Sequence, residues 1–428
     1  MQEIAEGNPA ERVKLQSLVF DLSNTLKNFE GSVLAMRRAG IVDKKRSDEA
    51  SFSRWVDENP TRKAKYGEIL PALAKAYEEL NATAQRDLLI QQLAAVSGLL
   101  DVVSFAQLLA VEQEKPEAER NPAVTSPAAL QRAQDRVAEI FVDRNVTLER
   151  ELLVYLLRKA AALPRGQKIE SIERRFGQLP PEARQNAELE FARAVVESKR
   201  FATAEAVSGL LSLTRSQLQE LSEPLLDFAA EIGVLIQESR PRSQAFNASV
   251  SRWRPLLLQG MVEMRGTKLY PDANRTLRFS YGEVKGYAPR EAISYTSFTT
   301  LAGVIEKDTG REPFDVPEKL KQLFRARDFG SYAGQNASAM PVDFLSTTDI
   351  IGGNSGSPIM NGRGEQVGII FDGNYEGLGN DFFYNEAKGR SIAVDIRYVL
   401  FVTEKFGEAG QVLKELDIRN SSGKQGKR

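Results

Sequence analysis

The hydrophobic period of this chain changes near residue 265, and with it the kind of structure each half can form. From about residue 10 to 262 the apolar residues recur at helical spacing, as in Leu15, Leu18, Val19, Leu22, Leu26, Phe29, Val33 and Met36, with Gly40 placed to stop the helix. Tyr66, Ile69, Leu73, Tyr77 and Leu80 repeat the pattern, as do Val137, Ile140, Phe141, Leu148, Leu152, Tyr155 and Leu156. Proline-containing breaks at Lys115 to Pro127 and at Pro180-Pro181 separate the helices, and Pro181-Glu182-Ala183 suits a first helical turn. No fixed internal period supports a solenoid. Beyond residue 265 the runs become short, alternating and divided by Gly, Asn and Asp, which is the pattern of strands and hairpins. Leu277, Phe279 and Tyr281 alternate with polar residues; Gln366 to Phe371 and Ser391 to Ile396 are further strand candidates, and Asn361-Gly362 is a two-residue hairpin turn.

The expected fold class is therefore α+β, a helical domain over residues 1–262 followed by an antiparallel β-barrel domain over 263–419. Tyr398 to Phe406 reads as a terminal helix, and residues 420–428 as a polar, basic, disordered tail. A length of 428 residues agrees with two to three domains at about 150 residues each. Leu93 to Val111 is the most apolar stretch, yet it carries Asp101 and Gln107 and is better explained as the buried centre of a helical domain than as a membrane span. The amino-terminal MQEIAEGNPAERVK shows no basic region followed by an apolar one, so no signal peptide is visible in this chain.

Composition removes several kinds of chemistry. With no Cys, thiolate catalysis, disulfides and Cys-ligated metals are excluded. With no His, the chain holds neither a complete Ser–His–Asp triad nor a His-ligated metal site. A net charge of −1 gives no reason to expect nucleic acid as a partner. No cofactor or metal is expected.

The chemistry concentrates in Gly352-Gly353-Asn354-Ser355-Gly356-Ser357-Pro358. A serine nucleophile in a β-barrel protease needs a tight turn and small neighbours, so that a substrate carbonyl can reach its oxygen. In the chymotrypsin arrangement the oxyanion is held by the N–H of the serine and of the residue two before it, here Ser355 and Gly353. The plainer alternative is a Gly/Ser-rich loop without chemistry.

At this point the sequence resembles the bacterial serine exopeptidases that include dipeptidyl-peptidases 7 and 11. The resemblance runs through Leu269-Tyr270-Pro271-Asp272-Ala273-Asn274, Leu277 to Gly282, Asp328-Phe329-Gly330, Gly352 to Pro358, Phe371-Asp372-Gly373-Asn374 and Val394 to Leu400. It implies that the helical half is the family's cap and the β half the second barrel of a chymotrypsin-like protease. The first barrel, with the catalytic His and Asp, and the export signal that precede the cap in the family have no counterpart here, so the chain is expected to be a carboxy-terminal portion, inactive alone. By the same resemblance Ser355 is the nucleophile and Gly353 an oxyanion donor. Asp372 binds the substrate's free α-amino group, and Gly373 shapes the pocket for the second substrate residue, where glycine leaves room for a hydrophobic side chain. The plainer alternative for Asp372 is a turn aspartate before Gly373-Asn374, and Gly373 can be a turn glycine as well as a pocket residue. Oligopeptide substrates, a homodimer and a periplasmic or cell-surface location complete what the resemblance implies. The alternative is a non-catalytic helical interaction protein with a degenerate barrel.

Weaker motifs add little. Asp372 to Asp381 (DGNYEGLGND) is oxygen-rich but lacks the ligand spacing of an EF-hand, Lys44-Lys45-Arg46 is a short solvated run, and no phosphate-cradling GxxxxGK[ST] string occurs.

Overall fold

A computed structural model describes residues 9–267, 276–311, 314–334 and 339–419, with side chains from residue 18 onward. The motif at residues 269–274 and the tail at 420–428 lie outside the described residues, as does the side chain of Leu15. The chain forms two compact units, residues 1–20 with 48–269, and residues 21–47 with 270–428.

The first unit is helical. Its longer helices are α1 (Pro9–Arg38, which runs on into the second unit), α2 (Ile41–Asp57, which starts in the second unit), α3 (Ile69–Asn81), α4 (Ala84–Ala94), α5 (Gly98–Gln113), α6 (Pro127–Asp143), α7 (Val146–Ala161), α8 (Pro181–Val196) and α9 (Pro224–Arg265). The core gathers around α5, whose Leu99, Leu100, Val102, Val103, Ala106, Leu109 and Ala110 are all buried. A helix apolar on most faces belongs at such a centre. Leu93 to Val111 is nevertheless not one helix. Ser97 caps α5, its Oγ accepting from Leu99 N at 3.2 Å, and the axis turns by 91° between α4 and α5. Among the described residues no single helix is long and apolar enough to cross a membrane. Pro181 opens α8 and Gly40, at φ +58°, ends α1, both where the sequence places them.

The second unit holds the strands β1 (Tyr287–Arg290), β2 (Ile293–Tyr295), β3 (Phe298–Thr300), β4 (Pro341–Ser346), β5 (Pro358–Met360), β6 (Gln366–Gly373) and β7 (Ser391–Asp395). β1 and β2 form a hairpin. The others form an antiparallel sheet in the order β3-β4-β7-β6-β5, with β3 and β5 as its edges. Phe344, Ile370 and Ala393 make a small core within this sheet, and a second core packs Leu301, Leu320, Phe329 and Met340 against Leu400 and Phe401. The terminal helix is present as Ile396–Phe401, continued by a π-turn at Val402–Phe406.

Three sequence expectations are corrected here. The alternation at Leu277, Phe279 and Tyr281 does not make a strand of the sheet; only Val284 forms an isolated bridge, to Ser346. The segment is held by its polar side, with Ser280 Oγ donating to Asp349 O at 2.9 Å and Glu283 N to Thr347 Oγ1 at 3.0 Å, while Leu277, Phe279 and Tyr281 stay exposed. The β5–β6 connection is a hairpin, but Asn361-Gly362 is not its two-residue turn. Asn361 Oδ1 accepts from Arg363 N and Glu365 N, which lengthens the loop and moves the positive φ (+77°) to Gly364.

The third correction concerns α1. Leu22, Leu26, Phe29 and Val33, expected to be the buried stripe of an amphipathic helix, are exposed. Within the second unit the helix packs through its small residues instead. Gly31 and Ser32 are buried, Ser32 Oγ donates to Leu378 O at 3.0 Å, and a Cβ built on Gly379 would stand 3.1 Å from Ala35 Cβ. Small side chains bring the helix backbone close to the segment that follows β6.

Candidate active site

The loop between β4 and β5 is a pair of consecutive turns. Asn354 N donates to Ile351 O at 3.1 Å, and Ser357 N donates to Asn354 O at 2.9 Å. In each turn the third residue is a glycine with positive φ, Gly353 at +103° and Gly356 at +86°. Such turns admit little but glycine at that position, which explains the spacing of the motif. Asn354 Oδ1 accepts from Ile351 N at 3.0 Å and closes the first turn. The second is tied to β6 by Gly356 N donating to Ile370 O and Ile370 N to Ser357 O, at 2.8 and 3.0 Å.

Ser355 is thereby lifted to an exposed position at the head of the second turn, with its Oγ donating to Phe371 O at 3.3 Å. The partner carbonyl belongs to a bulge, because the β6–β7 register shifts between Ile370 and Asp372. Bulges of this kind re-aim a backbone group next to a site. The N–H groups of Gly353 and Ser355 donate to no acceptor among the described residues. No basic side chain touches the Ser355 hydroxyl among the described residues.

Asp372 follows the bulge. It is exposed, its Oδ1 accepts from Gly373 N at 2.8 Å, and it has no ion-pair partner among the described residues. Behind it a polar network fixes the backbone. Asn374 Oδ1 accepts from Arg390 N at 2.7 Å, and its Nδ2 donates to Lys388 O at 2.8 Å and to Glu376 Oε2 at 3.2 Å. Tyr287 donates its hydroxyl to the same Glu376 oxygen at 2.7 Å. Burial, with the Glu376 carboxylate adding to it, pushes the Tyr287 phenol up to about 12. Arg390, only 5% exposed, donates to the backbone carbonyls of Lys285, Gly286, Glu386, Ala387 and Gly389, a staple rather than a free cation. Ser346, Thr348 and Ser391 hydroxyls bond one another at 2.6–2.9 Å beside Gly373, which pairs with Ser391 across β6 and β7.

Ser355, Asp372 and Gly373 line one pocket of about 200 Å³. Gly352 and Asn354 also line it; Gly353 does not. Asn28, Thr348, Ile350, Ile351 and Arg390 also line it, and none of them is singled out by the sequence. Asn28 lies on the face of α1 that carries Ser32 and Ala35, one and two turns further on, and nothing in its local sequence signals a site 344 residues upstream of Asp372. Asp381 closes the oxygen-rich stretch noted as a weak calcium candidate and instead shares the pocket with Asp372. Asp372 and Asp381 thus bring two acidic side chains to the lining, while the Arg390 guanidinium there is committed to backbone carbonyls.

The sequence profile of peptidase S46 matches residues 1–418. Among characterised relatives, the Asp/Glu-specific dipeptidyl-peptidase of Porphyromonas endodontalis is 32% identical over 399 residues, covering 92% of this chain and 53% of the relative. Dipeptidyl-peptidase 7 of Porphyromonas gingivalis is 30% identical over 424 residues, covering 97% and 57%. The crystal structure of Porphyromonas endodontalis DPP11 in complex with the dipeptide Arg-Glu superposes with a TM-score of 0.76 at 29% identity, over 97% of this chain and 58% of that one. The chain thus spans about half the length of the curated relatives it matches. A profile match across nearly every residue, with the described helical and antiparallel units superposing on a solved dipeptidyl-peptidase, leaves one conclusion: the chain belongs to the peptidase S46 family.

Proposed function

We propose that these residues supply the nucleophile and the amine-binding carboxylate of a serine dipeptidyl-peptidase that releases dipeptides from the free amino terminus of oligopeptides. The observation that carries this reading is the shared pocket, in which Ser355, Asp372 and Gly373 meet although the motifs that hold them are separate in sequence. Ser355 Oγ attacks the carbonyl carbon of the second substrate residue, the N–H groups of Gly353 and Ser355 take the developing oxyanion, and the peptide beyond leaves as an amine. Water then attacks the acyl-enzyme and frees the dipeptide. Asp372 pairs with the substrate ammonium and so fixes the distance from amino terminus to scissile bond at two residues. The second unit takes the part of the second barrel of a chymotrypsin-like protease, and the first unit that of its cap. Because the chain has no His, the general base and its acidic partner come from outside these 428 residues, in the portion of the relatives that this chain does not match. A periplasmic or cell-surface location and a homodimer accompany this reading.

The test of the anchor is Asp372→Ala in an enzyme completed with that portion of a relative. It is expected to lower kcat/KM for free-amine peptides by about 10²-fold, the scale of roughly 3 kcal/mol for breaking an ion pair that substrate binding buries. Acetylated peptides should be cleaved poorly by both forms. Equal cleavage of free and acetylated peptides by the unmutated enzyme would defeat the anchor.

The relatives' names divide between dipeptidyl-peptidase 7 and Asp/Glu-specific enzymes, so similarity alone does not choose the second-residue preference. Gly373 chooses it. A glycine there adds no charge to the pocket wall, and a substrate carboxylate entering would lose hydration without gaining a partner. A hydrophobic second residue is favoured. A Cβ at position 373 would meet only Arg390 O at 3.8 Å and Ile350 Cδ1 at 4.0 Å, so Gly373→Arg is sterically possible. It is expected to shift preference toward Asp and Glu through a guanidinium–carboxylate contact. A reporter series with Leu, Phe, Asp and Glu at the second position measures it, and a glycine form that already prefers Asp would contradict the assignment.

The absence of histidine favours one other reading, a non-catalytic interaction protein. An enzyme completed in the same way that remained inert, with its fold intact, would support that reading instead.

A further inference from the structure

We propose that Ile350 sets the depth of the pocket that takes the second residue's side chain, selecting aliphatic groups of about leucine size over larger aromatic ones. This rests on the reading of Ser355 and Gly373 as parts of a substrate pocket, and it assigns the side chain that the glycine leaves facing the substrate. Ile350 lines the same cavity as Ser355 and Gly373. Its Cδ1 lies 4.0 Å from where a Cβ on Gly373 would stand, at the limit of van der Waals contact. The other atom near that point, Arg390 O at 3.8 Å, is backbone and does not change with side-chain size. Thr348, also in the lining, is committed to the hydroxyl cluster with Ser346 and Ser391. Of the side chains that line the pocket, Ile350 is therefore the one that stands against the point where a side chain on residue 373 would begin.

Ile350 is also held in place. It packs on the core of Phe344, Ile370 and Ala393, and the residue after it begins the turn Ile351–Asn354 that leads to Ser355. A side chain anchored on one side by a core and free on the other toward a cavity acts as a fixed wall rather than a mobile flap. One or two methylene-sized groups in an apolar pocket change discrimination by about 10-fold or more. Ile350 differs from Ala by three carbons.

The experiment needs no catalysis and uses the 428-residue chain as it is. Affinities of Ala-Gly, Ala-Leu, Ala-Phe, Ala-Trp and acetyl-Ala-Leu are measured by titration calorimetry or by NMR shifts. The unmutated chain is expected to bind Ala-Leu about 10-fold more tightly than Ala-Trp. Ile350→Ala should reverse that order, and Ile350→Val should move it part of the way. Ile350→Phe should exclude Ala-Leu while leaving Ala-Gly. Ile350→Val and Ile350→Met change core volume least and guard against a variant that fails to fold, with thermal melts run beside the titrations. Because Ile350 and residue 373 are neighbours, the affinity for Ala-Asp gained by Gly373→Arg should also change with residue 350, a non-additivity that distant walls would not give.

The same ranking of dipeptides in the unmutated, Val, Met and Ala forms would overturn the assignment. So would binding of none of the dipeptides by the folded unmutated chain. A ranking that follows residue 350 while acetyl-Ala-Leu binds as tightly as Ala-Leu would support Ile350 as the wall and contradict the dipeptidyl reading, so the two claims fail separately.

Discussion

Replacing Ser355 by alanine in the completed enzyme is expected to lower kcat by about 10⁶-fold, the scale seen when a serine nucleophile is removed from a triad. Thermal stability should hardly change. The hydroxyl is exposed and makes a single 3.3 Å bond to Phe371 O, and surface substitutions of that kind usually stay within about 0.5 kcal/mol. The turns that carry Ser355 are held by backbone bonds of Ile351, Asn354, Gly356 and Ser357 and by the Asn354 side chain, with positive φ at Gly353 and Gly356, and none of this uses the serine hydroxyl. The separation of the two readouts is the informative result. A variant that lost activity together with several degrees of melting temperature would implicate loop structure rather than nucleophile chemistry, and one that kept releasing dipeptides would place the nucleophile elsewhere.

The second large effect concerns these 428 residues by themselves. A neutral serine hydroxyl is a weak nucleophile, and its activation requires a base to take the proton as the C–O bond forms. Here the hydroxyl donates only to a backbone carbonyl, and the sequence offers no imidazole at any position. Binding and oxyanion stabilisation can still leave a residual rate of about 10³ to 10⁴ over water. The isolated chain should therefore fall orders of magnitude below the completed enzyme on a dipeptidyl reporter, while still binding free dipeptides through Asp372. Turnover by the purified 428 residues at ordinary enzymatic rates, abolished by Ser355→Ala, would show that another group in this chain serves as base and would require a different mechanism.

How far the sequence could be read depended on whether the constraint was local. Gly353 and Gly356 are glycines because two successive turns each demand positive φ at their third residue, so the motif and its geometry are one statement. The helix starts at Pro181 and the stop at Gly40 are equally local, as are the strands from Gln366 and Ser391. What could not be read is where partners are distant in the chain. Periodicity marks Leu22, Leu26, Phe29 and Val33 as the buried stripe of α1, but packing in the second unit chooses the Gly31, Ser32 and Ala35 side, and Asn28 reaches the pocket on that same face. Alternation at Leu277, Phe279 and Tyr281 reports two unlike sides of an extended segment, and it does not say whether a neighbouring strand is there to pair with it. Asp372 and Gly373 read as a turn in isolation; in the fold they follow the bulge whose Phe371 carbonyl accepts from Ser355, and they line the same pocket as that serine.

Covalent capture identifies the nucleophile and the amine anchor together. A dipeptidyl phosphonate with a free α-amine and leucine at the second position, incubated with the completed enzyme, should attach to one residue, located by peptide mapping and mass spectrometry. Modification is expected on the peptide containing Ser355, lost in Ser355→Ala and strongly reduced both in Asp372→Ala and with the acetylated reagent. Modification at a different residue, or equal capture of the free and acetylated reagents at Ser355, would contradict these assignments.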